Sequence, residues 1–361
     1  MEMFVISSIK LLLKEGHTVS LACIENSMLD KEASGLPITR VNFGSQNFSL
    51  KSLFLFMKTL QEGKFDLVHT HYSKDLWLII PALKLLHLST PAVMTKHLGS
   101  AIEKKDPLHR FIYNRLNHAI AISEVIRQNL LDTTVLGEDK VSLIHNFVDT
   151  DKFVRKDNPK ALKKEFNIGD STTVLGLVGR ISPGKGHEDV IEAVKIVSED
   201  KPDIKVIFVG ASQANEREFE AGLKSLVSRY GLDDYFIFTG FRRDVPELLS
   251  LFDIFLFPSH AEAFGLSLIE AMALGLPSVV CYSDGVKDIA LENITSLTYG
   301  RKDFVKMAEH IKTLLLDTEL RKRLSENSLE RVKLFSSELF QEKIENLYEK
   351  LVLSSKASPL N

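Results

Sequence analysis

Short apolar runs alternate with helix-period segments over most of this chain, and this alternation constrains the fold more than any other feature. The runs typical of strands are Thr18–Ile24, Asp66–Thr70, Ala92–Lys96, Ala119–Ser123, Val141–His145, Val174–Val178, Val206–Val209, Ile237–Thr239, Ile254–Phe257 and Ser278–Cys281. The segments between them have helical periodicity and the length of crossover helices. This βαβ rhythm predicts doubly wound parallel sheets, with ligands at the carboxyl ends of the strands.

The rhythm pauses once, which predicts two domains and a linker. Residues 146–159 are polar and rich in turn formers, and 361 residues exceed what one hydrophobic core normally organises. We expect one Rossmann-like domain over residues 1–148 and a second over residues 149–335. The last segment, residues 336–361, has apolar side chains at helical spacing, so we expect a helix that packs across both domains.

The composition excludes several classes of protein. Hydrophobic residues make up 44% and charged residues 26%, as in a globular protein, and no apolar run approaches the ~18 residues of a membrane-spanning helix. A formal net charge of −3 argues against nucleic-acid binding. Cys23 and Cys281 lie in apolar runs without the spacing of metal ligands, which predicts buried reduced thiols and a cytoplasmic protein.

The front half of the chain is relatively basic. Its basic side chains include Lys96, Lys104, Lys105, Arg110 and Arg115. They are consistent with peripheral contact between the protein and an anionic membrane surface, and equally with an ordinary solvated helix face. The sequence leaves both interpretations open.

A glycine-rich loop follows the first strand of the rear domain. Residues 179–185 match the spacing of the phosphate loop of nucleotide triphosphatases, but Gly186 occupies the position where that motif needs a hydroxyl for magnesium. Such a loop offers backbone N–H groups to a phosphate at the start of the next helix. Arg180 and Lys185 therefore fit as fixed cations for a diphosphate leaving group in place of a metal ion.

Two carboxylates, Glu262 and Glu270, flank a predicted turn from strand to helix within residues 259–277. Glu270 lies among apolar neighbours, where an ionised carboxylate without a partner is costly. Two adjacent sugar hydroxyls supply two donors at about the separation of the two carboxylate oxygens. The residue types predict a sugar or a ribose as the partner.

Three histidines follow two front-domain strands. His69 and His71 share one strand face, a spacing that could suit zinc, but no third-ligand pattern accompanies them. His97 ends the strand that starts near Val93, at the edge where a ligand would lie. Its imidazole could donate or accept a proton near neutral pH, or it could simply order the local loop.

Taken together, these motifs resemble the retaining glycosyltransferases of family 4, which have the two-Rossmann-domain GT-B architecture with a cleft between the domains. The matching segments are Gly-Arg-x4-Lys-Gly at 179–186, the Glu pair at 262 and 270, Gly-Leu-Pro at 275–277, Asn-Phe-Val-Asp at 146–149 and the end helix from Phe335 to Glu349. The resemblance implies that Arg180 and Lys185 hold the donor diphosphate. It also implies that Glu270 binds the ribose and Glu262 the transferred sugar.

The resemblance assigns further roles around the donor. The backbone N–H groups of Phe264, Gly265 and Leu266, together with Gly179, would contact the donor, and Gly265 would permit its close approach. His97 would lie beside the C6 hydroxyl of the transferred sugar.

Weaker candidates complete the set. Ser123 ends a strand at the expected cleft, and the base pocket would involve Arg242, Arg243 and Val245. The Asp149-Thr150-Asp151 sequence lies in the linker, so we expect a turn rather than a metal site.

The sequence departs from the family in two places. Relatives begin with a strand and a glycine-rich loop, whereas this sequence begins in what resembles the following helix, so the first strand of the front domain is expected to be absent and the natural start to lie upstream of Met1. Residues 283–288 replace paired glycines and a glutamate, which predicts an altered donor preference.

These observations predict a retaining, metal-independent hexosyltransferase without a cofactor. Its partners would be a nucleoside diphosphate sugar and a hydroxyl acceptor, such as a lipid-linked sugar in the synthesis of a cell-surface glycolipid or polysaccharide at the inner face of the membrane. The alternatives are an inactive nucleotide-sugar-binding module and a sugar-nucleotide epimerase on the same fold.

Overall fold

The computed structural model describes residues 1–43, 49–156 and 160–357. The chain divides into two compact units, the first formed by residues 1–146 and 337–361 and the second by residues 147–336. These limits lie close to the predicted boundaries at 148 and 335. Residues 157–159 of the predicted linker lie outside the described residues.

The first unit begins with α1 (Glu2–Lys14), β1 (Ser20–Ile24), α2 (Met28–Glu32), β2 (Thr39–Phe43), α3 (Leu50–Gly63), β3 (Val68–Thr70), α4 (Leu76–Leu85), β4 (Ala92–Lys96), α5 (Pro107–Arg115), β5 (His118–Ala121), α6 (Glu124–Thr133) and β6 (Val141–Leu143). The second unit contains α7 (Lys160–Glu165), β7 (Thr173–Val178), α8 (His187–Ser198), β8 (Ile204–Val209), α9 (Arg217–Arg229), β9 (Phe236–Gly240), α10 (Val245–Leu251), β10 (Ile254–Phe257), α11 (Leu266–Ala273), β11 (Ser278–Cys281), β12 (Ser296–Tyr299), α12 (Phe304–Leu316) and α13 (Thr318–Val332). The chain then returns to the first unit with α14 (Ser337–Ala357).

The first unit contains parallel strands in two groups. Strands β3, β4, β5 and β6 form one sheet in that order, and β1 pairs with β2 separately. Every residue of β4 and β5 is buried, which explains the apolar runs 92–94 and 119–121 within these strands. Within the described residues no strand joins β1 to β3 by hydrogen bonds.

Helices α1 and α14 belong to the first unit, and each packs within it through one apolar face. In α1, Val5, Ile6 and Ile9 are buried against the side chains of β1. In α14 the buried face includes Phe340, whose ring meets that of Phe4 edge-on at 5.6 Å between centroids. The predicted terminal helix thus exists and groups with the first unit.

The second unit is built on one six-stranded parallel sheet. Its strands lie in the order β12, β11, β10, β7, β8, β9. Strands β10 and β11 are fully buried, because helices cover both faces of a doubly wound sheet. Cys281 in β11 is buried and free, as is Cys23 in β1, which confirms the predicted buried thiols. The doubly wound α/β class expected from the sequence is confirmed in this unit.

Candidate active site

Strands β7 and β10 are neighbours at the point where the strand order of the second unit reverses. From β7 the chain moves to β8 and β9 on one side, whereas β10, β11 and β12 lie on the other side. In open parallel sheets, ligands bind at the carboxyl ends of the strands beside such a switch point. The loops that follow β7 and β10 are therefore the expected ligand-binding loops of this unit.

The loop after β7 is held in a fixed shape by its backbone. The Gly179 N–H donates to the Val209 carbonyl at 3.0 Å, and the Lys185 N–H donates to the Ser182 carbonyl at 3.2 Å. Gly186 has φ +74, and a Cβ there would lie 2.1 Å from the Pro258 carbonyl oxygen. Only glycine fits this turn, which packs the loop after β7 directly against the loop after β10.

An ion pair joins these two loops. The Lys185 Nζ lies 2.5 Å from the Glu262 Oε2, although 77 residues separate them in the chain. The Ser259 hydroxyl donates to the same oxygen at 3.2 Å. Both charged side chains are only partly exposed, at 31% for Lys185 and 21% for Glu262. Two predicted site residues thus meet at the switch point, and the remaining Glu262 oxygen and Lys185 protons can bind a ligand.

Helix α11 begins beside this pair. Gly265 precedes it with φ +122, a conformation that residues with a Cβ rarely adopt. The first N–H groups of a helix have no partner inside the helix, so Leu266 starts a turn that can donate to an anion. The Gly285 N–H donates to the Glu262 carbonyl at 2.9 Å, so the atypical segment 283–288 supports the loop that carries Glu262.

Glu270 lies one turn further along α11 in apolar surroundings. Burial raises the pKa of its carboxyl to about 7, an effect partly offset by the positive charge of Lys152. No hydrogen bond or ion pair from the described residues satisfies this carboxylate. A half-buried acceptor without a protein donor is costly unless a ligand supplies the donors.

Two other predicted donor-site residues of the second unit, Arg180 and Arg242, differ in how strongly their side chains already pair with carboxylates of the protein. Arg180 is 49% exposed, and its Nε lies 3.7 Å from the Glu216 carboxylate. Arg242 instead pairs with Asp244 at 2.6 Å and with Glu165, and these hydrogen bonds raise its pKa. An arginine committed to two carboxylates has few donors left for a nucleobase.

Several predicted residues occupy simpler positions in the structure. Val245 is the first residue of α10, and Phe264 is buried with its ring edge-on to Phe335 at 5.7 Å. Ser123 is fully buried in the first unit, directly before α6.

The first unit clusters the three histidines that the sequence singled out. The His71 Nδ1 lies 3.1 Å from the His97 Nε2, and the rings of His69 and His71 stack at 4.5 Å between centroids. Burial lowers the pKa of His71 to about 4 and that of His97 to about 3, and it also lowers the pKa of His69. The three imidazoles are therefore neutral near pH 7, and one shared proton fixes the contact between His71 and His97.

Two partners of this cluster were not predicted. The His69 Nδ1 lies 2.5 Å from the Tyr348 hydroxyl, and the His69 Nε2 lies 2.8 Å from the Thr95 hydroxyl. Tyr348 is separated from His69 by 279 positions, so spacing could not reveal the contact. The sequence signal for Thr95 was its place beside His97 at the end of β4.

Two kinds of feature are absent from the part of the chain that the structure describes, namely a metal-binding cluster and a membrane-spanning helix. Within residues 1–43, 49–156 and 160–357, no group of three or more histidine, cysteine or acidic side chains is arranged to hold a metal ion. In the linker, the Asp149 carboxylate accepts from the Lys152 N–H at 3.2 Å, as expected of a turn. Across those same described ranges, none of the helices has the length and apolar character needed to cross a bilayer.

Comparison with known protein families gives two adjoining matches. Residues 1–152 match the model described as Glycosyltransferase Family 4, and residues 159–331 match the model described as Glycosyl transferases group 1. Among curated proteins, the chain is 27% identical over 241 residues to the capsular polysaccharide biosynthesis glycosyltransferase CapM of Staphylococcus aureus. That alignment covers 65% of this chain and 62% of CapM.

Solved structures share this fold over almost the whole length of the chain. A glycosyltransferase from Rickettsia africae superposes with a TM-score of 0.88 at 21% identity, covering 97% of this chain and 94% of its own. The Anabaena protein HepE, solved with UDP and glucose, superposes with a TM-score of 0.82 at 19% identity, covering 96% of this chain and 95% of its own. Both are GT-B structures of the predicted type, and at these identities they establish the fold.

Proposed function

Because the chain belongs to the group 1 glycosyltransferases, with family 4 and group 1 models matching adjoining parts of it, we propose that it transfers a hexose from a nucleoside diphosphate to a hydroxyl acceptor. The transfer retains the configuration at the anomeric carbon and requires no metal ion. The observation that carries the proposal is the contact between Lys185 and Glu262 at the switch point of the second unit. This contact supports the proposal because a lysine suited to binding a diphosphate lies beside a carboxylate suited to accepting hydrogen bonds from sugar hydroxyls.

The donor is held from three sides in this proposal. Arg180, Lys185 and the first N–H groups of α11 bind the diphosphate, because fixed positive charge and helix dipoles favour an anion. Glu262 accepts hydrogen bonds from the hexose, and Glu270 accepts them from the ribose. Diphosphate binding also gives Lys185 a second anionic partner, so the Lys185–Glu262 pair need not break.

The chemical step then relies on stabilising the leaving group. As the bond between the anomeric carbon and the phosphate oxygen breaks, its electron pair passes to the diphosphate, where the two cations and the α11 N–H groups stabilise the new charge. The acceptor hydroxyl attacks from the same face and transfers its proton to a diphosphate oxygen. Attack from the face of the departing group gives retention without a protein nucleophile.

Among the possible sugar donors, a UDP-hexose is the first one to test. HepE, which shares the fold, was solved with UDP and glucose, and CapM is named for capsular polysaccharide synthesis. We propose a related role in surface polysaccharide or glycolipid synthesis, with an acceptor carried by a lipid at the inner membrane face. His97 remains a proposed catalytic residue and Ser123 a proposed binding residue.

The test measures hydrolysis and transfer with a panel of UDP- and GDP-hexoses in excess EDTA. The parent should release nucleoside diphosphate, and NMR of the released sugar should show the anomeric configuration of the donor. Lys185→Met should lower turnover about 100-fold or more, since it removes a charge-assisted contact to the leaving group. Lys322→Met is the matched control on α13, where the side chain is exposed.

Two outcomes would contradict this proposal. Nucleotide binding without sugar release from any donor would indicate a binding module instead of an enzyme. Full activity in Lys185→Met would show that the assigned diphosphate site is wrong.

A further inference from the structure

His71 contacts two other imidazoles at the carboxyl ends of β3 and β4. It comes directly after Thr70, the last residue of β3, and His97 comes directly after Lys96, the last residue of β4. Its ring lies 4.5 Å from that of His69 and 5.4 Å from that of His97 between centroids, and the latter two planes are inclined by only 30°. The pairing of β3 with β4 therefore brings the three rings into one cluster.

The orientation of the His71 ring is restricted by its neighbours. The ring of His69, on which it stacks, is held at both nitrogens, by the hydroxyl of Thr95 on β4 and the hydroxyl of Tyr348 on α14. The Phe4 ring of α1 meets the His71 ring edge-on at 6.4 Å between centroids. Contacts from three elements thus hold the His71 imidazole in one place.

A hydrogen bond joins His71 to His97, and its direction decides what His97 can offer a ligand. The His71 Nδ1 lies 3.1 Å from the His97 Nε2. Both rings are neutral near pH 7, because burial lowers the pKa of His71 to about 4 and that of His97 to about 3. A neutral imidazole carries one proton, so either the His97 Nε2 donates to the His71 Nδ1 or the reverse holds.

The remaining nitrogen of His97, Nδ1, is open to a ligand. The ring is partly exposed, and none of the residues that the structure describes forms a hydrogen bond with this atom. If His97 donates through Nε2, its Nδ1 keeps a lone pair and can accept from a hydroxyl. In a neutral histidine the proton prefers Nε2 to Nδ1, and this arrangement places the proton of each ring on Nε2. The contact therefore favours His97 as the donor and His71 as the acceptor.

We propose that His71 is a positioning residue, which accepts the His97 Nε2–H and so keeps the His97 Nδ1 as an acceptor for a substrate hydroxyl. The inference rests on the proposed function, in which His97 is a catalytic residue. Without the acceptor on His71, the His97 proton is free to move to Nδ1, where an N–H cannot accept a hydrogen bond from a hydroxyl. A substrate hydroxyl would then bind in a less favourable orientation.

The direct test is NMR of the ligand-free full chain near pH 7, with histidine labelled by nitrogen-15. Long-range correlations within the imidazoles show which ring nitrogen carries the proton, and His97→Gln assigns the His97 signals. We expect a single His97 tautomer with its proton on Nε2. His71→Leu should convert it to a mixture of both tautomers, whereas His71→Asn, which keeps an oxygen near the position of Nδ1, should preserve it.

Two results of this measurement would overturn the proposal. One is a proton on the His97 Nδ1 in the parent protein, a result that needs no variant and stands even if His71→Leu does not fold. The other is an unchanged Nε2 tautomer in folded His71→Leu, since the tautomer would then be set without His71.

Transfer kinetics with a donor that the parent uses distinguish positioning from packing. His71→Leu should lower kcat at least about 10-fold and leave KM for the donor within about 2-fold, because a misoriented group slows the reaction more than it weakens binding. His71→Asn should recover kcat to within about 3-fold of the parent, because it restores the acceptor. His87→Asn is the control, an exposed histidine beyond the end of α4 with φ +52, a conformation that asparagine tolerates, and it should change neither constant.

Failure of this inference and failure of the proposed function give different results. If the parent transfers sugar from none of the donors, the proposed function fails, and the NMR measurement still decides whether His71 fixes the proton of His97. If the parent is active and His71→Leu keeps full turnover, or changes KM alone, the positioning role of His71 is wrong and the proposed function stands.

Discussion

Replacing Glu270 by glutamine should make the ligand-free second unit more stable at alkaline pH. The folded protein holds this carboxyl half-buried without a protein donor, which raises its pKa to about 7. A group whose folded pKa lies above its unfolded value favours folding less as pH rises between the two values. Stability is therefore lost as pH rises from about 4.5 to about 7, and glutamine, which never ionises, avoids that loss.

The size of the effect follows from the two pKa values. The difference between the ordinary value of 4.5 and about 7 corresponds to about 3 kcal/mol when both states are ionised, and partial exposure of the side chain reduces this to about 2–3 kcal/mol. At pH 8 the gain on substitution should approach that value. At pH 5, where the folded protein keeps Glu270 protonated, the gain should be below about 1 kcal/mol.

Hydrogen exchange resolved by mass spectrometry measures the gain in unfolding free energy within the second unit. Peptides covering β7 and β10 report the unfolding free energy of the second unit, independently of the first. Glu326→Gln is the control, because this exposed α13 side chain should change stability by less than about 0.5 kcal/mol. An equal effect of Glu270→Gln at pH 5 and pH 8 would refute the reasoning, as would destabilisation at pH 8.

Two further predictions concern a glycine and the buried histidines. Gly186→Ala should destabilise the second unit by about 2 kcal/mol or more in chemical denaturation, since its Cβ would meet the Pro258 carbonyl at 2.1 Å, whereas Gly222→Ala, with open space around it, should be tolerated. Wild-type behaviour of Gly186→Ala would contradict this. The first unit should lose at least about 2 kcal/mol between pH 7 and pH 5, because the unfolded chain binds protons near pH 6.5 that the folded His71 and His97 accept only near pH 4 and pH 3. Fluorescence of Trp77, the single tryptophan, follows this unit, and a pH-independent midpoint would count against it.

Strands that are buried on both faces were the easiest elements to predict. β4, β10 and β11 have the predicted bounds, because a parallel strand between helices is buried on both faces and is therefore mainly apolar. β2, Thr39–Phe43, was missed because only Phe43 is buried and its polar neighbours look like loop residues. β12, Ser296–Tyr299, was missed because two of its four buried residues, Ser296 and Thr298, are small polar residues.

Some residues and contacts of the candidate site could likewise be predicted from the sequence, whereas others could not. Lys185 and Glu262 were predictable because glycine positions and residue types expose the two loops, and strand order then brings the loops together. Long-range partners were not predictable. Nothing in the local sequence shows that Glu165 engages Arg242, or that Tyr348 bonds to His69.

The most direct test of the central claim is a crystal structure of the full chain with a bound nucleoside diphosphate sugar. We predict that the diphosphate contacts Lys185 and the start of α11, that the ribose hydroxyls donate to Glu270, and that the hexose hydroxyls donate to Glu262. A nucleotide bound away from the carboxyl ends of β7 and β10, with these side chains unchanged, would contradict the account.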